Sequence, residues 1–457
     1  MSSQSNGTEP TPTWTATEIS AAVRAGTLTA REAAADALSR IVARDGAIEA
    51  FQTVREQKAL AEADAVDAHH DRSTFALAGV PIAIKDNVQV QGEPMSNGTK
   101  AGDLAPQLAD HEVVRRIRAA GAVVVGLTRV PELCIYGATD SVWGVTRNPW
   151  NLSLTPGGSS GGSAAAVSSG MVPVAHGNDG LGSVRIPAAC CGLVGIKPGS
   201  GVVPADLGAT SWYGMSENGA LATTAADAAL LLSVMAGDPA LAEVVEPEGL
   251  RIAVAAKSPV AGVSVDHEWL RATYETAGLL MRAGHHVERK QIVYPQTTAV
   301  AALARWFAGA ASDADDLDFD SLEPRVQTHV AIGRRVRNSP LMKDSWRDSW
   351  REKAGDFLTD FDLLMTPMLA RSPIEAKVWA DSWRATMQAN VQYAPFAAPW
   401  NIAGFPAMSV PAGVHPVSRT PMAVQLVARP GREALLLGAA AQLERLRPWQ
   451  SVAPDFR

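Results

Sequence analysis

Three short stretches of this chain hold the residue types that nucleophilic chemistry needs: hydroxyls, an amine and backbone free to bend. In Thr155-Pro-Gly-Gly-Ser159-Ser160-Gly-Gly-Ser163, glycines allow sharp turns and close approach to a ligand beside several serines. A second serine lies in Asn178-Asp179-Gly180-Leu181-Gly182-Ser183-Val-Arg185-Ile-Pro187, next to both charge signs. The third stretch, Leu77-Ala-Gly-Val-Pro-Ile-Ala-Ile-Lys85-Asp-Asn87, is an apolar run ending in an amine. A serine hydroxyl attacks poorly until a base takes its proton, and an amine can be that base when neutral. Taken alone, Lys85 also suits a lysine snorkelling from a strand end beside Asp86.

Two familiar serine or glycine patterns do not account for these residues. The glycine-rich run is no phosphate-binding loop, because no lysine follows it until Lys197. Gly-x-Ser-x-Gly occurs twice in overlapping register, at 157–161 and 158–162. A nucleophile elbow needs a strand before it, however, and Trp150-Asn-Leu-Ser-Leu-Thr-Pro156 is too polar and proline-broken for a central strand.

The elements that must position these residues follow an α/β rhythm. Thr29-Ala-Arg-Glu32 is a capping box opening a helix that contains Leu38 and Ile41, and an alanine-rich helix is predicted over 57–68. Buried strands are predicted at 77–87, ending at Lys85, and at 122–128, with a helix over 112–120 between them. Further strands are predicted at 193–196, 251–255, 362–365, 408–410 and 423–427, and further helices at 225–235, 267–283 and 432–446. With no internal repeat and no long linker, this alternation reads as one large α/β domain. Residues 291–384 are less regular and rich in tryptophan, which leaves core packing and cleft walls equally open there.

Composition narrows the function classes. Hydrophobic residues make up 47% and charged residues 19%, enough for a large core. A net charge of −7 offers no basic field for nucleic acid. The three cysteines make no disulfide framework, no Cys/His spacing suggests a metal site, and no apolar run reaches membrane-spanning length. The polar start over residues 1–12 reads as a disordered tail on a cytoplasmic protein, with the folded domain over 13–457.

Ile84-Lys85-Asp86-Asn87, the 157–163 run and Asp179–Pro187, in that order, resemble the amidase signature family of serine hydrolases. The resemblance continues through Gly144-Val-Thr-Arg-Asn-Pro149, Gly192–Pro198, 225–232, 362–367 and 401–411, so it covers most of the chain from Thr29 onward. It implies a central mixed, twisted β-sheet covered by helices on both faces, with core motifs over 77–200 and a variable cleft over 291–384. It also implies a Ser-cisSer-Lys triad: Ser183 as nucleophile, Ser159 in a cis peptide as the bridging serine, and Lys85 as base. Backbone amides of Gly180, Leu181, Gly182 and Ser183 would form the oxyanion hole, with Asp179, Arg185 and Ser160 supporting it. No cofactor or metal is expected, and the expected assembly is a monomer or homodimer.

Several positions depart from the family pattern. Leucine stands at 181 where glycine is usual, and would be strained if that position required positive φ. Leu127, Arg129, Ala220 and Thr223 also differ, and the segment after Lys197-Pro198 lacks its usual arginine. The expected activity is hydrolysis of a small-molecule amide through an acyl-enzyme. An apolar or aromatic substrate is expected, lined by Met95, Tyr136, Trp143, Leu181, Trp212, Tyr213 and Trp306. Alternatives are the glutaminase subunit of a tRNA amidotransferase, an acyltransferase, or an idle member of the fold. The first is disfavoured by the aromatic run Ser211-Trp-Tyr-Gly-Met-Ser-Glu-Asn218, and the last by the presence of all three triad positions.

Overall fold

The computed structural model describes residues 14–380 and 382–456, so the tail over residues 1–12 lies outside the described residues. The capping box at Thr29 is formed: its hydroxyl accepts from Glu32 N at 3.0 Å and its amide donates to Glu32 at 2.9 Å. It opens the helix Ala30–Ile48. The helix Ala225–Ala236 holds Asp227, whose carboxylate accepts the Ala16 and Thr17 amides at 3.0 and 2.9 Å. Those donors belong to the helix Ala16–Ala25, so Asp227 neutralises a positive helix end from a distant element.

Thirteen strands are present among the described residues: β1 (Phe51–Val54), β2 (Pro81–Lys85), β3 (Val123–Thr128), β4 (Asp140–Ser141), β5 (Gly144–Val145), β6 (Val174–Asp179), β7 (Val194–Lys197), β8 (Glu217–Ala222), β9 (Arg251–Val254), β10 (His286–Arg289), β11 (Leu363–Pro367), β12 (Ala407–Val414) and β13 (Pro421–Val427). β4 and β5 form a separate hairpin, and the other eleven make one sheet in the order β1-β3-β2-β6-β8-β7-β12-β13-β11-β9-β10. β2 runs parallel to β3 and β6, whereas β6–β8, β8–β7 and β7–β12 are antiparallel. The sheet is therefore mixed.

β2 and β3 are buried at every residue, as parallel strands covered on both faces require. Lys85 is thus carried into the interior by its own strand. Two strands, β6 and β8, lie outside those predicted from the sequence. β6 contains His176, Asn178 and Asp179 and β8 contains Glu217 and Asn218, polar residues that hide the strand pattern; Asn178, Asp179 and Asn218 are hydrogen-bonded in place. His176 Nε2 lies 2.8 Å from Asn218 Oδ1 across the β6–β8 pair. The glycine-rich run is likewise only partly loop, because Gly161–Ser168 is helical.

Helices Gln296–Asp313, Pro324–Val336 and Asp344–Phe357 fill much of the tryptophan-rich region. Trp306, Trp350 and Trp400 belong to a second apolar core that packs under this layer. Among the described residues no helix is long and apolar enough to cross a membrane.

Candidate active site

Lys85, at the end of β2, is fully buried. Its amine donates to Ser159 Oγ at 2.8 Å and to Asn178 Oδ1 at 2.6 Å, with the Asn178 carbonyl at 3.3 Å. Burial pushes the amine below the usual lysine range, opposed by the neighbouring Cys134 and Asp179. Desolvation disfavours the charged form, and the accepting atoms around it limit that drop. A second amide holds this arrangement: Asn178 Nδ2 donates to Asn87 Oδ1 at 2.7 Å.

The peptide bond between Gly158 and Ser159 is cis. A Cβ at Gly158 would lie 2.6 Å from the Tyr136 carbonyl oxygen and 2.9 Å from the Ala138 nitrogen, so backbone packs directly against this turn. Ser160 ties the turn to the neighbouring loop: its amide donates to the Ser183 carbonyl at 3.2 Å and its hydroxyl to the Asn178 carbonyl at 3.3 Å. Ser183 lies just beyond β6 and is 9% exposed. Its hydroxyl has no hydrogen-bond partner among the described residues. Links between a nucleophile and its proton acceptor are often long without substrate and tighten when it binds.

The loop before Ser183 is organised by Asp179. Its carboxylate accepts the Gly182 amide at 2.6 Å and the Val184 amide at 3.2 Å. The fully buried Arg185 grips the same carboxylate through Nε and Nη2, both at 2.9 Å. Arg185 also donates to Gln425 Oε1 and Asn401 Oδ1, each at 2.6 Å, and to the Ala397 carbonyl at 3.2 Å. Burial alone would raise the Asp179 carboxyl, but Arg185 and Asn401 hold it well below the usual carboxylate range.

This geometry changes the set of free amides. Gly182 N–H is engaged by Asp179 and is removed from the expected oxyanion donors, whereas the amides of Gly180, Leu181 and Ser183 have no hydrogen-bond partner among the described residues. Leu181 is not among the residues with positive φ, so leucine there carries no backbone strain, and its side chain packs on the second core. The left-handed position is Gly182, at φ 121°. A Cβ there would sit 2.6 Å from Ala397 Cβ and 2.7 Å from Ile186 Cδ1. Gly182→Ala is therefore expected to displace the loop and lower kcat by about a hundredfold while circular dichroism remains native. A wild-type kcat would refute that account.

Ser159, Asn178, Gly180 and Ser183 form the floor of a cavity of about 740 Å³, its open mouth included. Met95, Leu133, Leu207 and Trp212 give it an apolar strip, while Asn87, Gln89, Asn97, Ser216, Asp206 and Asp313 make the rest polar. Of the aromatic residues expected to line it, only Trp212 does. Tyr136 is buried behind the wall, donating its hydroxyl to the Arg325 carbonyl at 3.1 Å. Trp143 lies outside under Lys100, whose amine is 4.6 Å from the ring centroid. Tyr213 faces Ser312, at 3.3 Å, and Trp306 packs in the core against His329, ring centroids 4.5 Å apart. The second apolar core takes in Tyr136 and Trp306, while Trp143 and Tyr213 meet Lys100 and Ser312 instead.

Sequence reasoning gave no role to Asn178, Asn87, Asn401 or Gln425. Asn87 and Asn401 sit inside motifs that carry the family resemblance and Asn178 directly precedes one, which was a usable signal; Gln425 had none, being brought to Arg185 from 240 residues away.

A family model described as "Amidase" matches residues 32–437. The chain is 39% identical to a putative amidase AmiB2 of Mycobacterium tuberculosis (strain ATCC 25618 / H37Rv), covering 92% of this chain and 93% of that protein. It is 33% identical to an acylamidase of Rhodococcus erythropolis, covering 96% of each. A solved structure of 6-aminohexanoate cyclic dimer hydrolase superposes with a TM-score of 0.88 at 30% identity, covering 97% of this chain and 99% of that one. The chain belongs to the amidase signature family and is a hydrolase acting on carbon–nitrogen bonds.

Proposed function

We propose that the chain hydrolyses a small-molecule carboxylic amide through an acyl-enzyme on Ser183, with Ser159 as relay and Lys85 as base. The observation that carries this reading is Lys85: a fully buried amine, biased toward its neutral form, donating to Ser159 beneath the cavity that exposes the Ser183 hydroxyl. In the first half-reaction Ser183 Oγ attacks the amide carbon while its proton passes to Ser159 Oγ, whose own proton passes to Lys85 Nζ. The free amides of Gly180, Leu181 and Ser183 face the developing oxyanion, each such donor contributing about 3–4 kcal/mol to the transition state. The carbon–nitrogen bond then breaks, and the departing amine takes a proton back through the same relay. Water repeats the attack on the acyl group and returns Ser183. An apolar or aromatic acyl portion fits the strip of Met95, Leu133, Leu207 and Trp212.

The test is labelling with a fluorophosphonate followed by peptide mass spectrometry. Ser183 is expected to carry the label. Because only neutral Lys85 can accept a proton, the labelling rate is expected to climb with pH through a lysine pKa lying below the usual value. Label on another residue, or a rate that falls as pH rises, would overturn the assignment.

A further inference from the structure

The cavity's charge is one-sided. Among the described residues no lysine, arginine or histidine lines it, and the two carboxylates are those of Asp206 and Asp313. Asp313 is committed to the wall: it accepts the Ala209 amide at 2.8 Å and Trp212 Nε1 at 2.9 Å. Asp206 is different. It is exposed at the mouth, and among the described residues its carboxylate accepts no hydrogen bond and pairs with no cation. The cavity floor marks this as a ligand site, because Ser183, a nine-tenths buried residue, lines the same space with its hydroxyl unpartnered among the described residues.

The loop that presents Asp206 is held in place. Asp206, Gly208, Ser211, Trp212, Tyr213 and Gly214 all have positive φ. Such a run persists only when surrounding contacts enforce it. Those contacts are Asp313 on one side and, on the other, Arg347, which donates to the Tyr213 and Gly214 carbonyls at 3.2 and 3.0 Å. Aspartate tolerates the left-handed region, which alone would explain its presence at φ 40°. It does not explain why this carboxylate stands at the mouth without a hydrogen-bond or ion-pair partner; the titratable group within its electrostatic reach is His111, whose ring burial pushes toward the neutral form.

We propose that this site selects amides bearing a cationic group, a protonated amine or quaternary ammonium, on the part that reaches the mouth, with Asp206 as the ionic contact. The proposal rests on the hydrolase reading above and adds charge selectivity to it. The substrate would be amphipathic: an apolar stretch along Trp212 and Leu207, then a positive end at Asp206. Asp313 strengthens the same potential from within the wall, and a carboxylate-bearing amide would be repelled by both.

The experiment uses three amides of equal length ending in methyl, trimethylammonium or carboxylate, with kcat/KM measured for each. The wild-type protein is expected to prefer the ammonium over the methyl compound by up to about fivefold at low salt, the range of a solvent-accessible ion pair, and the preference should shrink as salt is added. Asp206→Asn keeps the tolerance for positive φ and removes the charge, so it should bring the ammonium-to-methyl ratio most of the way to one, leaving only the weaker pull of Asp313. Asp206→Lys should take the ratio below one and relieve the penalty on the carboxylate. Asp206→Gly repeats the neutral test should asparagine disturb the loop. A ratio unmoved by these variants, while Ser183→Ala abolishes turnover of the methyl compound, overturns the selectivity and leaves the hydrolase reading standing. Turnover of the methyl compound unaffected by Ser183→Ala overturns that reading itself.

Discussion

Ser183→Ala is expected to lower kcat on any accepted amide by on the order of 10⁴-fold or more, and to abolish fluorophosphonate labelling. The size of the effect follows from where Ser183 sits. In the proposed mechanism it combines the only role that forms a covalent bond with a position directly beside the free amides of Gly180, Leu181 and its own backbone. Ser159 is held by Lys85 beneath it and cannot take that place without breaking the 2.8 Å contact on which its proposed relay role rests. The proposed mechanism has the three groups act as a unit, so Lys85→Met alone should cost a comparable factor, and the double variant Ser183→Ala/Lys85→Met should be little worse than either. Additive losses would mean that Lys85 and Ser183 serve separate functions. The methyl side chain of alanine removes no packing partner of note, so the unfolding midpoint of Ser183→Ala should match that of the wild type. A variant that is both inactive and unstable would leave labelling of the folded fraction as the deciding measurement, and retained labelling would refute the role.

How much of this was legible in the chain depends on the range over which each contact acts. Lys85 could be placed at the end of a buried strand because Val80-Pro-Ile-Ala-Ile84 announces its burial within a few residues, and the strand fixes where the amine goes. The pairing of Asp179 with Arg185 is similarly local, six residues apart and across one loop. β6 and β8 were not legible, because strands normally declare themselves by apolar or alternating residues. These two instead carry His176, Asn178, Glu217 and Asn218 into the sheet, where hydrogen bonds to His176 Nε2, Asn178 and Asn218 offset much of the cost of burial. The cavity was least legible of all. Its mouth joins Asp206 to the end of the helix Gln296–Asp313, more than a hundred residues away in sequence, and no local pattern marks either residue as facing the other. The expectation of aromatic walls failed for the same reason: Tyr136 and Trp306 are near the site in space, but the helical layer turns both into core. Leu181 shows a subtler limit. Sequence pattern flagged it as an intrusion, yet only the backbone reveals that the strained conformation belongs to its neighbour Gly182.

The second large effect concerns stability. Arg185→Met is expected to destabilise the protein by about 3–5 kcal/mol, the loss seen when one member of a buried ion pair is removed and its partner remains charged. Arg185 and Asp179 are both fully buried, and the guanidinium makes a two-pronged contact while also satisfying Asn401, Gln425 and the Ala397 carbonyl. Methionine fills much of the volume but leaves those acceptors without a donor and Asp179 without its counter-ion. The pH dependence identifies the cause. In the native protein the Asp179 carboxyl is held below its unfolded value, so its stabilising contribution is present above the unfolded pKa of about 3.9 and is lost as pH falls through the lower folded value. In the variant, burial dominates and raises that carboxyl above the unfolded value, which reverses the sign: the defect is largest at neutral pH and shrinks as acid neutralises Asp179. The difference in urea midpoint between wild type and Arg185→Met should therefore narrow from pH 7 toward pH 4. Adding Asp179→Asn to Arg185→Met should recover part of the lost stability by removing the stranded charge, although one amide oxygen cannot serve both the Gly182 and Val184 amides and activity should stay low. A midpoint difference that is the same at both pH values, together with no recovery in the double variant, would show that Arg185 supports this loop by packing rather than by charge.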